Sequence, residues 1–190
     1  MPPARLTTHI RLPVNQEFSL AESLRSDEAA VIEHLADREI SDRTTGIAFP
    51  YESEEFYRTM RKVAERAWEH CGCPDHFAIR DARDFFIGCV VFSDLIEGHS
   101  AGVAYWLGKP LWGRGIMTAA VGVACPFAIE RWNLVRISTP VFDRNVGSAR
   151  VLEKCGFDPE GLMRGCYLKD GRFIDARLYA LLAEFLMSPF

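Results

Sequence analysis

The stretch KPLWGRGIMTAA, residues 109–120, decides the fold because it joins an apolar run to a helix start through two glycines. The preceding AGVAYWL, residues 101–107, predicts a strand, and from Ile116 onward apolar residues recur at helical spacing. A glycine loop in this position leaves amide N–H groups unpaired at the positive end of a helix dipole, where phosphate binds. The loop matches neither GxxxxGK[ST] nor GxGxxG, since Thr118 stands where a third glycine would fall. The stretch alone therefore predicts either an anion site or an ordinary tight turn.

Length and charge narrow the class of protein. A chain of 190 residues is long enough for one substantial core and short for two domains. The formal net charge of −4 and the isoelectric point near 5.8 give no basic surface of the kind that nucleic acid requires. We therefore expect one domain and no nucleic-acid partner.

The apolar segments predict neither a signal peptide nor a membrane partner. Residues 1–16 contain no apolar h-region. The longest uncharged apolar stretch, residues 116–129, includes Pro126 and is shorter than the ~18 residues of a membrane helix. The six cysteines show no CxxC pairing, and several lie within apolar periodic segments, so we expect reduced thiols in a cytoplasmic protein.

The stretch HCGCPDH brings four possible zinc ligands together: His70, Cys71, Cys73 and His76. Structural zinc sites usually combine two ligand pairs on separate elements, with spacings such as CxxC. The cluster favours a loop between a helix and a strand over a metal site. We predict no metal.

The order of the elements predicts an α/β (α+β) fold. The predicted strands and helices mix, with strands in pairs. The strands are 17–23, 76–80, 85–92, 101–107 and 134–142, and the helices are 26–35, 50–70, one from 116 with its stripe through 127, and 145–155. Asp170-Gly171 predicts a hairpin between extended runs at 161–168 and 172–182. Pro126 is expected to kink its helix, and Pro140 belongs where strand pairing is broken.

Together, the loop and the segment 30 residues downstream resemble the GNAT superfamily of acetyl-CoA-dependent N-acetyltransferases. The resemblance is closest to the RimJ/RimL-type branch and rests on YWLGKPLWGRGIMTAA and on RISTPVFDRNVGSARVLEKCGFDPEGLMRGCYLKDGRFIDARLYALL. It covers about residues 17–183, and is strongest from residue 101. It implies a single N-acetyltransferase domain over residues 17–187 behind a tail at 1–16. It also implies a mixed, mostly antiparallel sheet with splayed fourth and fifth strands and helices on both faces.

The resemblance also implies where acetyl-CoA binds. The splayed strands, 101–107 and 135–142, would admit the pantetheine arm, and the amides from Gly113 to Thr118 would hold the pyrophosphate. The implied cofactor-binding residues are Trp106, Leu107, Gly108, Trp112, Gly113, Arg114, Gly115, Ile116, Met117, Thr118, Asn145, Ser148, Arg150 and Lys154. For Asn145 an N-cap role stands beside this one, and for Arg150 and Lys154 a solvated helix face does. Met117 is bulkier than the family's residue and could narrow the loop.

The catalytic assignments are hypotheses. The family's frequent tyrosine is replaced by Leu152, and in the RimJ/RimL branch the residue aligned with Ser148 is the proposed general acid. The backbone near Trp106 and Leu107 would polarise the thioester carbonyl. Five side chains are candidates for the general base, with Glu160 and Tyr167 carried forward as weak ones: His99, Tyr105, Glu160, Tyr167 and Asp175.

The expected function is transfer of an acetyl group to a primary amine, on a protein or peptide N-terminus or on a small molecule, by a monomer or homodimer. Two alternatives stay open. One is a non-catalytic acyl-CoA sensor or interaction domain, and the other is the same fold using a different acyl donor. The sequence does not identify the acceptor, whose pocket would come largely from residues 44–56 and 93–100.

Overall fold

The computed structural model describes residues 10–69 and 73–183, which form eight strands and five helices. The strands are β1 (Arg11–Pro13), β2 (Ser19–Glu22), β3 (His76–Arg80), β4 (Phe86–Ile96), β5 (Ser100–Leu107), β6 (Arg136–Phe142), β7 (Asp158–Lys169) and β8 (Arg172–Leu182). The helices are α1 (Glu28–Leu35), α2 (Arg38–Asp42), α3 (Ser53–Glu69), α4 (Ile116–Trp132) and α5 (Val146–Lys154). The predicted mixture of strands and helices is confirmed.

One sheet carries all eight strands, in the order β1-β2-β3-β4-β5-β6-β8-β7. Every neighbouring pair is antiparallel except β5 and β6, which are parallel. The mostly antiparallel mixed sheet is therefore confirmed. Within the segment expected to be a tail, Arg11 and Pro13 pair with Ala21 and Ser19 and so extend the sheet.

The parallel pair parts soon after it begins. Pairing between β5 and β6 ends at Gly102 and Ser138, although both strands continue. These two strands are the ones predicted to splay as the fourth and fifth. They are fifth and sixth along the chain because β1 precedes them. The N–H of Arg136 on β6 donates to the carbonyl of His99, just before β5. Because backbone direction alternates along a strand, a backbone N–H at position 140 would point toward β5 as well. Pro140 lies beyond the last paired residues of β5 and β6, so its missing N–H costs the sheet no hydrogen bond.

Helices cover both faces of the sheet, as expected. One core cluster joins α4 and α5 to the face that carries Val103 and Ile137, and a second joins α1, α2 and α3 to the opposite face of β3 and β4. Along α4 the buried residues include Ile116, Ala120, Val121, Ala124 and Ala128. Val123 and Phe127 on the same helix are partly buried and also pack against this core, because the apolar residues of α4 extend around the whole helix.

The local signals at turns and caps are confirmed. Asp170 and Gly171 both take positive φ and join β7 to β8. Gly156 ends α5 with φ 84°, and the N–H of Phe157 bonds back to the carbonyl of Leu152. Helix α2 had no prediction. It begins at Asp37, whose side chain accepts from the N–H of Glu39.

A buried ion pair fixes the start of α1 against the sheet. Arg80 on β3 donates to both carboxylate oxygens of Asp27 at 3.0 and 2.8 Å, and the two side chains are only 3% and 7% exposed. Arg80 also donates to the carbonyls of Glu22 and Asp84. The guanidinium is thus fully used, and its loss would leave a buried carboxylate without a cation.

Replacing Arg80 with Met is expected to lower the free energy of unfolding by about 3–5 kcal/mol, because Asp27 would remain buried and unpaired. Urea denaturation followed by circular dichroism measures this. The matched control is Arg11→Met, which breaks an exposed ion pair with Asp84 and should cost less than about 1 kcal/mol. Equal losses in the two variants would contradict the structural role of the buried pair.

Candidate functional site

The parting of β5 and β6 opens a cleft of about 950 Å³ through the middle of the sheet. Its walls are the two strands, the start of α4, one face of α5 and residues 43–45 that follow α2. The face of the sheet opposite α4 is open here, since Ala104 and Pro140 are exposed whereas Val103 and Val141 are buried. The cleft can therefore be entered both from the helix start and from the open face.

The glycine loop forms the entrance beside α4. Gly113 and Gly115 take φ of 75° and 76°, and a Cβ at either position would meet nothing within 4 Å, so the backbone conformation selects glycine here. Gly115 caps α4 without a side-chain bond, and the first bond of the helix runs from the N–H of Ala119 to the carbonyl of Gly115. The amides of residues 116–118 therefore have no partner within the helix and lie at its positive end. This is the geometry of an anion site.

The other predicted residues of the loop divide by position. Met117 does not narrow the loop, because its side chain is 8% exposed and packs in the core beside Val121. Trp112 holds the loop in place: its indole N–H donates to the carbonyl of Leu107 at 2.7 Å. Thr118 lines the cleft, whereas Arg114 is exposed and does not.

Two cations of α5 lie on the cleft side of that helix. Arg150 and Lys154 both line the cleft and are exposed, and neither forms an ion pair with a carboxylate of the described chain. They are four residues apart and so share one helix face. Together with the free amides of α4, they make the loop end of the cleft positive.

The backbone of β5 corrects two predicted contacts. The N–H of Gly108 donates to the carbonyl of Ile87 on β4, so residues of even number on β5 direct their backbone groups toward β4. Trp106 and Gly108 therefore cannot pair with a molecule in the cleft. Leu107 can, and so can Tyr105, whose backbone groups face the gap where no strand pairs with them. The register therefore favours backbone contacts at Tyr105 and Leu107 over those expected at Trp106 and Gly108.

Ser148 lies beside Tyr105, a contact that the sequence did not predict. The hydroxyl of Tyr105 lies 2.8 Å from Ser148 Oγ and 3.2 Å from the carbonyl oxygen of Ser148. Burial raises the pKa of Tyr105, so its phenol stays protonated at neutral pH and cannot serve as a base. Leu152, at the family's tyrosine position, is completely buried in the core. The phenol nearest to Ser148 thus comes from β5 instead of α5.

Asn145 uses both ends of its amide within the protein. Its Oδ1 accepts from the N–H of Ser148 at 3.2 Å, which is the predicted N-cap of α5. Its Nδ2 donates to the carbonyl of Arg43 at 3.3 Å and so ties α5 to the segment after α2. Asn145 still lines the cleft, and one of its N–H groups remains for a ligand.

The fold places some of the general-base candidates in the cleft and others outside it. Glu160 and Asp175 do not line the cleft. Glu160 is held by Arg136 at 2.7 and 2.5 Å, and this pairing keeps the pKa of Glu160 below its usual value, so its selection as a base is not supported. Tyr167 lines the cleft, but burial raises the pKa of its phenol. His99 also lines the cleft, near the closed end where β5 begins.

The segment after α2 forms one wall of the cleft, at the start of the region 44–56 that the sequence analysis assigned to the acceptor pocket. The ammonium group of Lys169, from the β7–β8 hairpin, donates to the carbonyls of Ser41 and Thr44, the second at 2.6 Å. The guanidinium of Arg43 lies 5.2 Å from the ring centre of Trp112. No local pattern signals these contacts, because they join parts of the chain that are far apart in sequence.

The described residues include no group of three or more His, Cys, Asp and Glu side chains placed to hold a metal ion. His70 and Cys71 of the HCGCPDH stretch lie outside the described residues. Cys73, Cys89 and Cys125 are buried free thiols, whereas Cys155 and Cys166 are half-buried. No helix of residues 10–69 and 73–183 is both long and apolar enough to span a bilayer.

Comparison with known proteins identifies this arrangement. Residues 20–158 match the family model described as acetyltransferase (GNAT) domain. The chain is 40% identical over 110 residues to the probable N-acetyltransferase YjcK of Bacillus subtilis (strain 168). The matched region covers 56% of this chain and 61% of that protein. This chain is 30% identical over 97 residues to [ribosomal protein uS5]-alanine N-acetyltransferase of Escherichia coli (strain K12), which covers half of each chain.

The same fold occurs in Mycobacterium smegmatis RimJ, solved in complex with CoA-disulfide. The two structures superpose with a TM-score of 0.77 at 24% identity, over 90% of this chain and 84% of the other. The resemblance to the RimJ/RimL type is thereby confirmed, and the splayed mixed sheet is that of known acetyltransferases.

Replacing Gly115 with Ala is expected to raise the dissociation constant for coenzyme A at least tenfold, because an alanine at φ 76° is strained and relaxation would turn the free amides away. Isothermal titration calorimetry measures this. Gly122→Ala on the same helix is the matched control, since a Cβ there also meets nothing within 4 Å. Gly122→Ala should stabilise α4 by about 0.5–1 kcal/mol and leave the affinity unchanged. Equal affinities in all three proteins would contradict the anion site.

Proposed function

The chain belongs to the GNAT acetyltransferase family, and we propose that it is an acetyl-CoA-dependent N-acetyltransferase acting on a primary amine. The observation that carries the proposal is the gap between β5 and β6, with the free amides of α4 at one end and the Tyr105–Ser148 pair inside it. The matched relatives are longer than their matched regions, and this chain covers 61% and 50% of them.

Three sets of groups fit acetyl-CoA. The amides of residues 116–118 and the side chains of Arg150 and Lys154 suit the phosphates. The gap-facing backbone of Tyr105 and Leu107 suits the amides of the pantetheine arm, which would take the place of a missing strand. This arm brings the thioester toward Ser148.

The transfer needs one bond formed and one broken. The nitrogen of the neutral amine attacks the thioester carbonyl carbon, the carbon–sulfur bond breaks, and the nitrogen loses a proton to solvent. A gap-facing N–H, from Tyr105 or Leu107, stabilises the negative charge on the carbonyl oxygen. Ser148 donates a proton to the leaving sulfur and takes one back from solvent, and Tyr105 positions the Ser148 hydroxyl.

The acceptor must arrive without its proton, and the site supplies little help for this. Glu160 and Asp175 lie outside the cleft, the two phenols that line it have raised pKa values, and His99 lines only its closed end, where β5 begins. An α-amino group has a pKa of about 7.7–8.0 and is partly neutral near pH 7.5, whereas an amine of pKa about 10.4 is only about 0.1% neutral. The site therefore favours acceptors with a low amine pKa, such as a peptide N-terminus.

The proposed function is tested by the release of free CoA from acetyl-CoA with a panel of amines. The panel contains peptides with different N-terminal residues, polyamines, free amino acids and aminoglycosides, and a second series replaces acetyl-CoA with longer acyl-CoAs. Turnover with one acceptor class and acetyl-CoA is the expected result. Tight binding of acetyl-CoA without turnover across the panel would contradict an enzyme and favour a sensor domain.

Ser148→Ala is expected to lower kcat tenfold or more, because it removes the hydroxyl that protonates the leaving sulfur. Tyr105→Phe is expected to lower kcat about threefold or more, because it removes the hydroxyl that positions Ser148. Steady-state kinetics of CoA release measures both, and CoA affinity should change less than twofold. Tyr57→Phe is the control, since Tyr57 bonds to Glu28 at the surface. An unchanged kcat in Ser148→Ala would remove this serine from the mechanism.

The pH profile follows from the same groups. With a peptide acceptor, kcat/KM should rise as the α-amine loses its proton up to about pH 8, and then level off. Burial raises the pKa values of Tyr105 and Tyr167, so both phenols keep their protons through the usual phenol range near pH 10. A falling limb below pH 10 that disappears in Tyr105→Phe would contradict this account.

A further inference from the structure

One charge in the cleft has no role in the mechanism above. Among the described residues that line the cleft, Asp94 is the only carboxylate, whereas four cationic side chains line it: Arg43, Arg136, Arg150 and Lys154. Asp94 is exposed, and in the described part of the chain no side chain forms an ion pair or hydrogen bond with its carboxylate. Its negative charge is therefore available to a ligand.

The local structure directs Asp94 toward the open face of the cleft. It lies near the end of β4, where pairing with β5 shifts register between Ser93 and Ile96, and its backbone takes φ 49°. A Cβ built at Gly102 would stand 3.7 Å from Asp94 Oδ2 and 2.7 Å from Ser93 Oγ. The carboxylate thus lies over Gly102, beside the point where β5 and β6 part.

Neighbouring charges do not cancel this carboxylate. Arg136, which lines the same end of the cleft, is engaged by both oxygens of Glu160. Arg150 and Lys154 lie on α5 and contribute to the loop end. The cleft is therefore positive at the end that suits phosphates, and carries one free negative charge at the closed end.

The position of Asp94 sets what it can bind. Gly102 precedes Tyr105 by three residues, which is on the order of 10 Å along an extended strand. A general base must come within roughly 3 Å of the nitrogen that it deprotonates, so Asp94 is too far from the reacting carbon for that role. A carboxylate at this separation suits a different group on the same acceptor.

We propose that Asp94 binds a second cationic group of the acceptor, so that the enzyme selects amines that carry another positive charge roughly 10 Å from the attacking nitrogen. This inference rests on the proposed acetyl transfer. The attacking nitrogen must be neutral whereas the second group stays charged, and Asp94 therefore orients the acceptor with its uncharged end toward the thioester. A diamine offers this chemistry, and so does a short peptide with a basic side chain near its N-terminus.

The test compares acceptors that differ only in the second charge. One set pairs α,ω-diamines with monoamines of the same carbon number, and the other pairs Ala-Ala-Lys with Ala-Ala-Met. The readouts are the ratio of kcat/KM within each pair and the ratio of dissociation constants for the CoA-bound protein, measured by calorimetry. The variant is Asp94→Asn, which tolerates the positive φ and keeps the side-chain shape.

Asp94→Asn is expected to lower the preference for the doubly charged member tenfold or more in at least one set, which is about 1.4 kcal/mol. The set that responds identifies the source of the second cation. Glu97→Gln, which removes the same charge from the neighbouring turn outside the cleft, should keep the wild-type ratios.

Unchanged ratios in both sets would overturn the inference, and so would an equal loss for both members of each pair, since that outcome assigns Asp94 to the reaction itself. Absence of turnover in the wild type would overturn the proposed function instead. The binding ratios would still decide the role of Asp94, because they need no turnover.

Discussion

The whole site depends on backbone hydrogen bonds that the sheet does not make. In a continuous sheet, β6 would satisfy the N–H and carbonyl groups of β5 along its full length, yet pairing ends at Gly102. Beyond it, the gap-facing groups of Tyr105 and Leu107 have no strand beside them, although the Leu107 carbonyl accepts from the indole N–H of Trp112. Buried backbone groups that stay unpaired are costly unless a ligand or water satisfies them. Pro140 removes one such donor from the facing strand. A molecule with amides along an extended arm can supply what the missing strand would have supplied.

The gap needs support from outside the two strands, and the segment after α2 provides much of it. Lys169 holds Ser41 and Thr44 from the far hairpin, Asn145 holds Arg43 from the start of α5, and Arg43 in turn stacks on Trp112. Burial lowers the pKa of Lys169, which reflects the desolvation that its ammonium accepts in making these bonds. One short segment therefore connects the hairpin, the helix that carries Ser148 and the glycine loop, so the wall near the acceptor and the loop near the phosphates are parts of one structure.

The sequence predicted those features that a few adjacent residues determine. The glycine loop before α4, the cap by Asn145 and the Asp170–Gly171 hairpin each follow from local chemistry and are confirmed. Features that depend on strand register were not accessible. Backbone direction alternates along β5, and a local pattern does not tell whether Tyr105 or Trp106 faces the gap. The pairing of β1 with β2 was also missed, because three residues in a proline-containing segment carry too little pattern to predict a strand.

The phenol beside Ser148 shows how chemistry can be kept while its source changes. Leu152 lies on the core side of α5 and is fully buried among apolar residues, where a tyrosine hydroxyl would cost free energy unless it found a hydrogen-bond partner. In this chain Tyr105 reaches the same serine from β5, with its hydroxyl 2.8 Å from Ser148 Oγ. Both residues belong to elements that border the gap, so in the proposed reaction the strand that would receive the cofactor would also position the proton donor for the leaving sulfur. The loss of the family's tyrosine is therefore no argument against catalysis, because protonation requires a hydroxyl at the right place and not from a particular helix.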